Sequence, residues 1–186
     1  MKPIRLGFTG ASGTGKTTLA SYAADLLGLP VNPVGSRSVA AAMGFASPYD
    51  VDRAGRRAEF QRLLLAEKVA WERGHDAFVT DRTVLDVLAY FALHDVRSAA
   101  TIEIIAQASE GAQRYTHVVY CPASVFINTG DDPARVSDAS YHFLYDTFLD
   151  GLLARYISPV TQRVSRISAR DPDERYLKFF LGLVDA

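Results

Sequence analysis

The sequence predicts an α/β fold, a five-stranded parallel sheet with helices on both faces, and three observations carry that expectation. Short apolar runs of strand length alternate with longer segments of helical periodicity. A glycine-rich stretch, Gly10-Ala11-Ser12-Gly13-Thr14-Gly15-Lys16-Thr17, sits where the first apolar run passes into the first helix. The chain has 186 residues, 48% of them hydrophobic and 22% charged, which can fill one core but hardly two, so residues 1–186 are expected to form a single domain.

Strands are expected near 4–9, 30–34, 76–81, 115–121 and 164–168. The first helix, 16–27, follows the glycine-rich loop and is ended by Gly28 and Pro30. A long helix over 51–73 starts at Asp50 and stops at Gly74. The next, 83–95, carries Val84, Val87, Leu88 and Phe91 at helical spacing, and 98–113 forms another. Helix 139–156 places Tyr141, Leu144, Tyr145, Phe148, Leu149, Leu152, Leu153 and Tyr156 on one broad stripe, read as core packing rather than a platform for stacking bases. A last helix, 172–184, follows the start signal Asp171-Pro172. There is no internal repeat or low-complexity tract.

A net charge of −1 gives no global reason to expect nucleic-acid binding, although a local basic groove is compatible with it. Cys121 is the only cysteine, so neither a disulfide framework nor a thiolate metal site is expected. His75, His94, His117 and His142 fall into no ligand spacing. The chain enters its first strand without a charged-then-apolar leader. No apolar run approaches the ~20 residues that span a bilayer, so a cytoplasmic protein is expected.

The glycine-rich stretch fits the pattern G-x-x-x-x-G-K-[ST]. Its glycines let successive backbone N–H groups approach phosphate oxygens, and the following helix adds its positive N-terminal end. Gly10, Ala11, Ser12, Gly13, Thr14, Gly15, Lys16, Thr17 and Thr18 therefore read as the cradle of a nucleoside triphosphate. Lys16 is placed to reach the β- and γ-phosphates, and the Thr17 hydroxyl to ligate Mg²⁺.

A second site is expected where Ala77-Phe78-Val79-Thr80 runs into Asp81-Arg82-Thr83. Ligands of open parallel sheets bind beyond the carboxyl ends of the strands, which brings Asp81 and Arg82 beside the phosphate loop. One carboxylate there can aim an attacking hydroxyl or hold Mg²⁺, and an arginine can hold the acceptor or offset charge. The plainer possibility makes Asp81 a helix cap. Thr83 with Asp86 already supplies a capping-box start, so Asp86 is read as structural.

Residues 128–138, polar and marked by Gly130 and Pro133, are expected to form a lid that carries Arg135 over the γ-phosphate. Against this stands an ordinary loop in which Ser137 or Asp138 caps the next helix. On the acceptor side, Arg53, Arg56 and Arg57 share one helix face, with Arg62 further on and Arg37 after the second strand. A solvated face balanced by Asp50, Asp52 and Glu59 is the default for the stripe. From Leu26 to Tyr49 the chain has no carboxylate, which makes Asp81 the main candidate base. Arg37 in that region suggests an acceptor that already carries phosphate, a nucleotide or a nucleic-acid strand.

GASGTGKTT near the N-terminus together with DRTVLDVLAY in the middle resembles small P-loop kinases of the nucleoside and nucleotide kinase group. Within it, the chain looks most like bacterial and phage kinases allied to ribosylnicotinamide kinases, some of which phosphorylate 5-hydroxymethyluracil in phage DNA. The resemblance implies a P-loop three-layer fold with strand order 2-3-1-4-5 and an ATP- and Mg²⁺-dependent kinase. The implied acceptor is a 5-hydroxymethyl pyrimidine in phage DNA or, alternatively, a free (deoxy)nucleoside or nucleoside monophosphate. It also implies phosphate and metal contacts from Lys16 and Thr17, a base or metal-shell carboxylate from Asp81, and an acceptor contact from Arg82; Arg37, Arg53 and Arg57 remain acceptor candidates on the reading of the residues alone. The chain departs from the pattern in lacking a carboxylate after the second strand and in offering a single lid arginine. A guanine-reading N-K-x-D string does not occur, which disfavours a GTPase switch. An oligomeric motor ATPase would normally carry a further helical domain and inter-subunit arginines, for which this chain has little room, whereas a protein that binds nucleotide without turnover is compatible with the phosphate loop.

Overall fold

The computed structural model describes residues 3–95, 101–124, 138–158 and 160–167. Arg5–Thr9 forms β1, whose alternate residues serve two different layers. Leu6 and Phe8 pack with Leu19, Ala20, Ala23 and Ala24 of α1 (Lys16–Leu27). Gly7 serves the opposite layer, where a Cβ would stand 2.7 Å from Thr83 Cγ2, so its missing side chain lets the segment that opens the fifth helix approach the strand. Helix α1 stops at Gly28, which takes the left-handed conformation at φ 62°.

Residues 30–34 form a single parallel bridge, Val31 to Val79, instead of the expected second strand. Pro30 and Pro33 have no N–H to donate, and Asn32 Oδ1 accepts from the Val34 N–H at 2.9 Å, bending the chain away after one pairing. Among the described residues the sheet therefore has four strands: β1, β2 (Phe78–Asp81), β3 (His117–Tyr120) and β4 (Arg163–Arg166), all parallel, in the order β2-β1-β3-β4. With the Val31 bridge on the outer side of β2, the expected order survives in reduced form.

The expected long helix over 51–73 is two helices preceded by a third. Ser36–Ala42 forms α2, Pro48–Arg53 forms α3 and Arg57–Arg73 forms α4. Helix α3 starts earlier than expected because Ser47 caps it and Pro48 occupies its first turn. Gly55, at φ 69°, then reverses the chain, with the Arg56 N–H bonded to the Val51 carbonyl at 3.1 Å.

Among the described residues the remaining helices are α5 (Val84–Asp95), α6 (Thr101–Ala112) and α7 (Ala139–Tyr156). With α4 they cover the sheet face opposite α1, around Phe60, Leu65, Phe78, Leu85, Phe91, Ile104, Val118 and Leu149. Asp138 caps α7 through the Ser140 N–H at 2.8 Å. The aromatic stripe of α7 is narrower than expected: Tyr145, Leu149 and Leu153 are buried, whereas Leu144 and Phe148 are exposed. Among the described residues no helix is long and apolar enough to cross a membrane. The expected helix 172–184, lid residues 128–137 and the start of the helix expected from residue 98 lie outside the described residues.

Tyr115 ties the sheet to α4 and α5. Its buried hydroxyl accepts from the Val84 N–H at 3.0 Å and donates to Glu72 Oε2 at 3.1 Å. Tyr115→Phe strands the Val84 N–H, and should lower stability in urea unfolding by about 2 kcal/mol.

Candidate active site

The loop between β1 and α1 takes its shape from glycines at positive φ. Gly10 lies at φ 139°, and a Cβ there would stand 2.2 Å from the Cys121 carbonyl oxygen; the loop thus begins in direct backbone contact with the chain leaving β3. Gly13 and Gly15 are left-handed, and Gly15 opens α1, whose first turn holds no acidic residue to compete with an anion. Lys16 is buried, and its ammonium donates to the Ala11 carbonyl and to Thr14 Oγ1, the latter at 3.0 Å. Burial, and then the Arg82 guanidinium, press Lys16 down to about 8 against the opposing pull of Asp86, Asp81 and Cys121.

Asp81 ends β2 beside this loop. The Thr17 hydroxyl donates to Asp81 Oδ2 at 2.6 Å, joining two groups 64 residues apart in the chain. The other oxygen, Oδ1, is buried without a hydrogen-bond partner among the described residues. An orphaned carboxylate oxygen beside a hydroxyl is the hard-oxygen chemistry that suits Mg²⁺, so Thr17 and Asp81 fit as the groups that would hold it. No cluster of three or more His, Cys, Asp or Glu side chains offers a competing metal site among the described residues.

The strand end is set by a strained turn. Arg82 is the only non-glycine residue at positive φ, 71°, among those described. Such a backbone costs on the order of 1 kcal/mol or more and persists where neighbours hold it. Here Lys68 Nζ, buried on α4, donates to Thr80 Oγ1 at 2.6 Å and to the Asp81 carbonyl at 3.4 Å, and Thr80 Oγ1 donates to the Arg82 carbonyl at 3.2 Å. The Arg82 guanidinium reaches back to the Gly10 carbonyl at 3.4 Å, stands 3.7 Å from Asp86 and lies 5.2 Å above the Tyr90 ring.

Asp86 is buried among these parts. Its carboxylate accepts from the Thr9 hydroxyl (2.6 Å), the Gly10 N–H (3.2 Å), the Thr83 N–H (2.7 Å) and hydroxyl (2.9 Å), and the Tyr145 hydroxyl (2.8 Å). The capping-box contact to Thr83 is present, together with long-range bonds to the phosphate loop.

The structure brings Lys16, Thr17, Asp81 and Arg82 together. Arg37 is exposed on α2, and Arg135 lies outside the described residues. Arg53 pairs with Asp50 at 3.4 Å, Arg56 with Glu59 at 2.6 Å, and Arg57 with Asp52 through two hydrogen bonds, the Nε one at 2.8 Å.

Sequence reasoning missed Lys68 and Asp146. The signal for Lys68 was a lysine set between Leu64 and Glu72 on the buried stripe of α4. Asp146 of α7 accepts from the Ala123 N–H at 2.6 Å, keeps a buried Oδ1 without a hydrogen-bond partner among the described residues, and is raised above the usual carboxylate range by burial. It falls between the apolar positions of its helix and left no signal in the sequence.

The sheet order, the two helical layers and the glycine loop define a P-loop fold of the kind found in small kinases. The chain belongs to the family described as AAA domain, whose model matches residues 5–167. Among solved structures it is similar to deoxyadenosine kinase from M. mycoides with dCMP and a flexible dCDP bound, with a TM-score of 0.63 and 11% identity over 98% of both chains. It is also similar to shikimate kinase from Aquifex aeolicus, with a TM-score of 0.59 and 14% identity over 98% of this chain and 96% of that one. Shikimate kinase from Acinetobacter baumannii in complex with shikimate gives 0.53 and 18% over 97% and 94%. At these identities the likeness is one of fold. No curated protein matches the chain in sequence.

The Lys16 environment predicts a pH dependence. In the protein alone Lys16 loses its proton as pH rises through about 8, whereas a bound triphosphate favours the ammonium. ATP binding should then take up a proton above that pH, with affinity falling by up to about tenfold per pH unit. Calorimetry in two buffers of different ionisation enthalpy reads this uptake directly, and Lys16→Arg should remove it.

Proposed function

We propose that the protein is an ATP-dependent phosphotransferase that moves the γ-phosphoryl group to a hydroxyl of a nucleotide-like acceptor. The Thr17–Asp81 contact beside Lys16 carries the reading, because it joins the phosphate loop to a carboxylate at the neighbouring strand end. The acceptor oxygen attacks phosphorus, the bond to the bridging β-phosphate oxygen breaks, and ADP leaves with the electron pair. Asp81 aims the hydroxyl and receives its proton, while Lys16 balances charge on the transferring group. Mg²⁺, when bound, neutralises phosphate charge. Arg82 lines the acceptor side, and Arg135 is the lid arginine of this reading.

Both classes of similar kinase support phosphoryl transfer on this fold, and the sequence motifs favour a nucleotide-like acceptor over a shikimate-like one. The finer candidates are a 5-hydroxymethyl pyrimidine in phage DNA and a free (deoxy)nucleoside or nucleoside monophosphate. The family description, AAA domain, favours a second reading, a P-loop ATPase that transfers to water. Acceptor-dependent turnover separates the two: hydrolysis that no acceptor stimulates argues for the ATPase.

Radiolabelled γ-phosphate transfer to a panel of nucleosides, monophosphates and DNA with and without hydroxymethyl bases is the decisive measurement. Lys16→Ala should abolish transfer to every acceptor. Asp81→Asn should lower kcat by about 10²–10⁴-fold, far more than it lowers ATP affinity; equal loss of both would make metal holding or structure the main role of Asp81 and remove its part in aiming the hydroxyl. For the DNA acceptor, reversing charge at Arg53, Arg56 and Arg57 should weaken polymer binding and flatten its salt dependence. Unchanged DNA phosphorylation in that triple variant would remove the stripe from the acceptor site.

A further inference from the structure

Two neighbouring residues of α7 stand behind the first glycine of the phosphate loop. Tyr145 is fully buried and donates its hydroxyl to Asp86 Oδ1 at 2.8 Å, the same oxygen that accepts from the Gly10 N–H at 3.2 Å. Asp146 takes the other flank. Its Oδ2 accepts from the Ala123 N–H at 2.6 Å, and its backbone carbonyl accepts from the Tyr120 hydroxyl at 3.4 Å. Both bonds go to the end of β3 and the chain that leaves it.

That chain touches the loop. A Cβ on Gly10 would stand 2.2 Å from the Cys121 carbonyl oxygen and 3.0 Å from its carbon, so the direction of this carbonyl decides where the loop can begin. Between the Cys121 carbonyl and the Ala123 N–H lie only the φ and ψ rotations of Pro122, and the proline ring locks φ. Fixing the Ala123 N–H therefore leaves one soft rotation to the Cys121 carbonyl. The rest of Gly10 is held separately, its N–H by Asp86 and its carbonyl by Arg82 at 3.4 Å.

Stability alone is a poor reason for a carboxylate here. Asp146 Oδ1 is buried without a hydrogen-bond partner among the described residues, and burial raises the carboxyl against the pull of the Ala123 N–H, Tyr120, Lys16 and His142. A neutral acceptor would take the same N–H without a buried charge. Lys16, the lysine of the phosphate loop, is one of the cations that ease that charge.

We infer that Asp146 is a positioning residue of the donor site, acting through the Ala123 N–H and the Cys121 carbonyl to hold Gly10 where the loop receives a nucleotide's phosphates. The inference rests on the nucleotide-binding half of the phosphotransferase reading and adds α7 to it. Without the bond, the nucleotide must itself order the root of the loop, and the lost interaction appears in affinity.

Calorimetric titration with ADP and Mg²⁺ tests it on wild type, Asp146→Ala, Asp146→Asn and Tyr115→Phe, with urea unfolding of each. Asp146→Leu, close in shape to the native side chain, is the second acceptor-free variant should the alanine one not fold. The expected result is ADP affinity lowered by about 5- to 100-fold in the acceptor-free variant, the range set by one lost hydrogen bond to a buried N–H. Asp146→Asn keeps an acceptor oxygen and should largely restore it. Tyr115→Phe, destabilised away from the loop, should bind ADP as wild type does. Unchanged affinity in the acceptor-free variant, the same loss in Tyr115→Phe, or the full loss in Asp146→Asn overturns the inference. No ADP binding by wild type overturns both the inference and the reading beneath it. ADP binding with the Asp146 dependence, but without γ-phosphate transfer to any acceptor of the panel, leaves the positioning role standing and overturns the phosphotransferase reading instead.

Discussion

The buried carboxylate of Asp86 is the interaction on which the site depends. A charge in that position is costly unless its lone pairs are satisfied, and Asp86 meets the requirement by drawing donors from four parts of the chain. Thr9 is the end of β1, Gly10 the start of the phosphate loop, Thr83 the start of α5 and Tyr145 a residue of α7. Shared charge-assisted bonds hold these four in register, and the loop that would receive a triphosphate is thereby tied to α5 and α7.

A second buried polar set holds the strand end from the other side. Lys68 grips Thr80 and the Asp81 carbonyl, and Glu72, one turn later on α4, receives Asn32 at 3.2 Å and Tyr115. Burial lowers Lys68 and raises Glu72, with each opposing the other's shift, so the pair resists being split. The consequence is a fixed left-handed turn at Arg82 with Asp81 directed at Thr17. Positioning of this kind is the larger part of catalysis where little covalent chemistry falls to the protein.

Helices α3 and α4 follow a different logic. The arginines of α3 and α4 are matched by carboxylates three to five residues away or across to α6, so these helices present little uncompensated positive charge.

What lay in short-range sequence was legible. The glycine loop, the Gly28 and Gly74 stops, the Thr83–Asp86 cap, the Asp138 cap and the parallel α/β alternation all depend on residues a few positions apart, where backbone propensity decides. The loss of strand 30–34 and the break at Gly55 were also local, but two prolines and one glycine outweighed an apolar pattern that pointed elsewhere. Only the tertiary structure could pair Thr17 with Asp81, gather four elements on Asp86 and bury Lys68 beside Thr80. Those contacts join residues far apart in the chain, and their energy comes from desolvation and directed hydrogen bonds that exist once the sheet and both helical layers have closed around them.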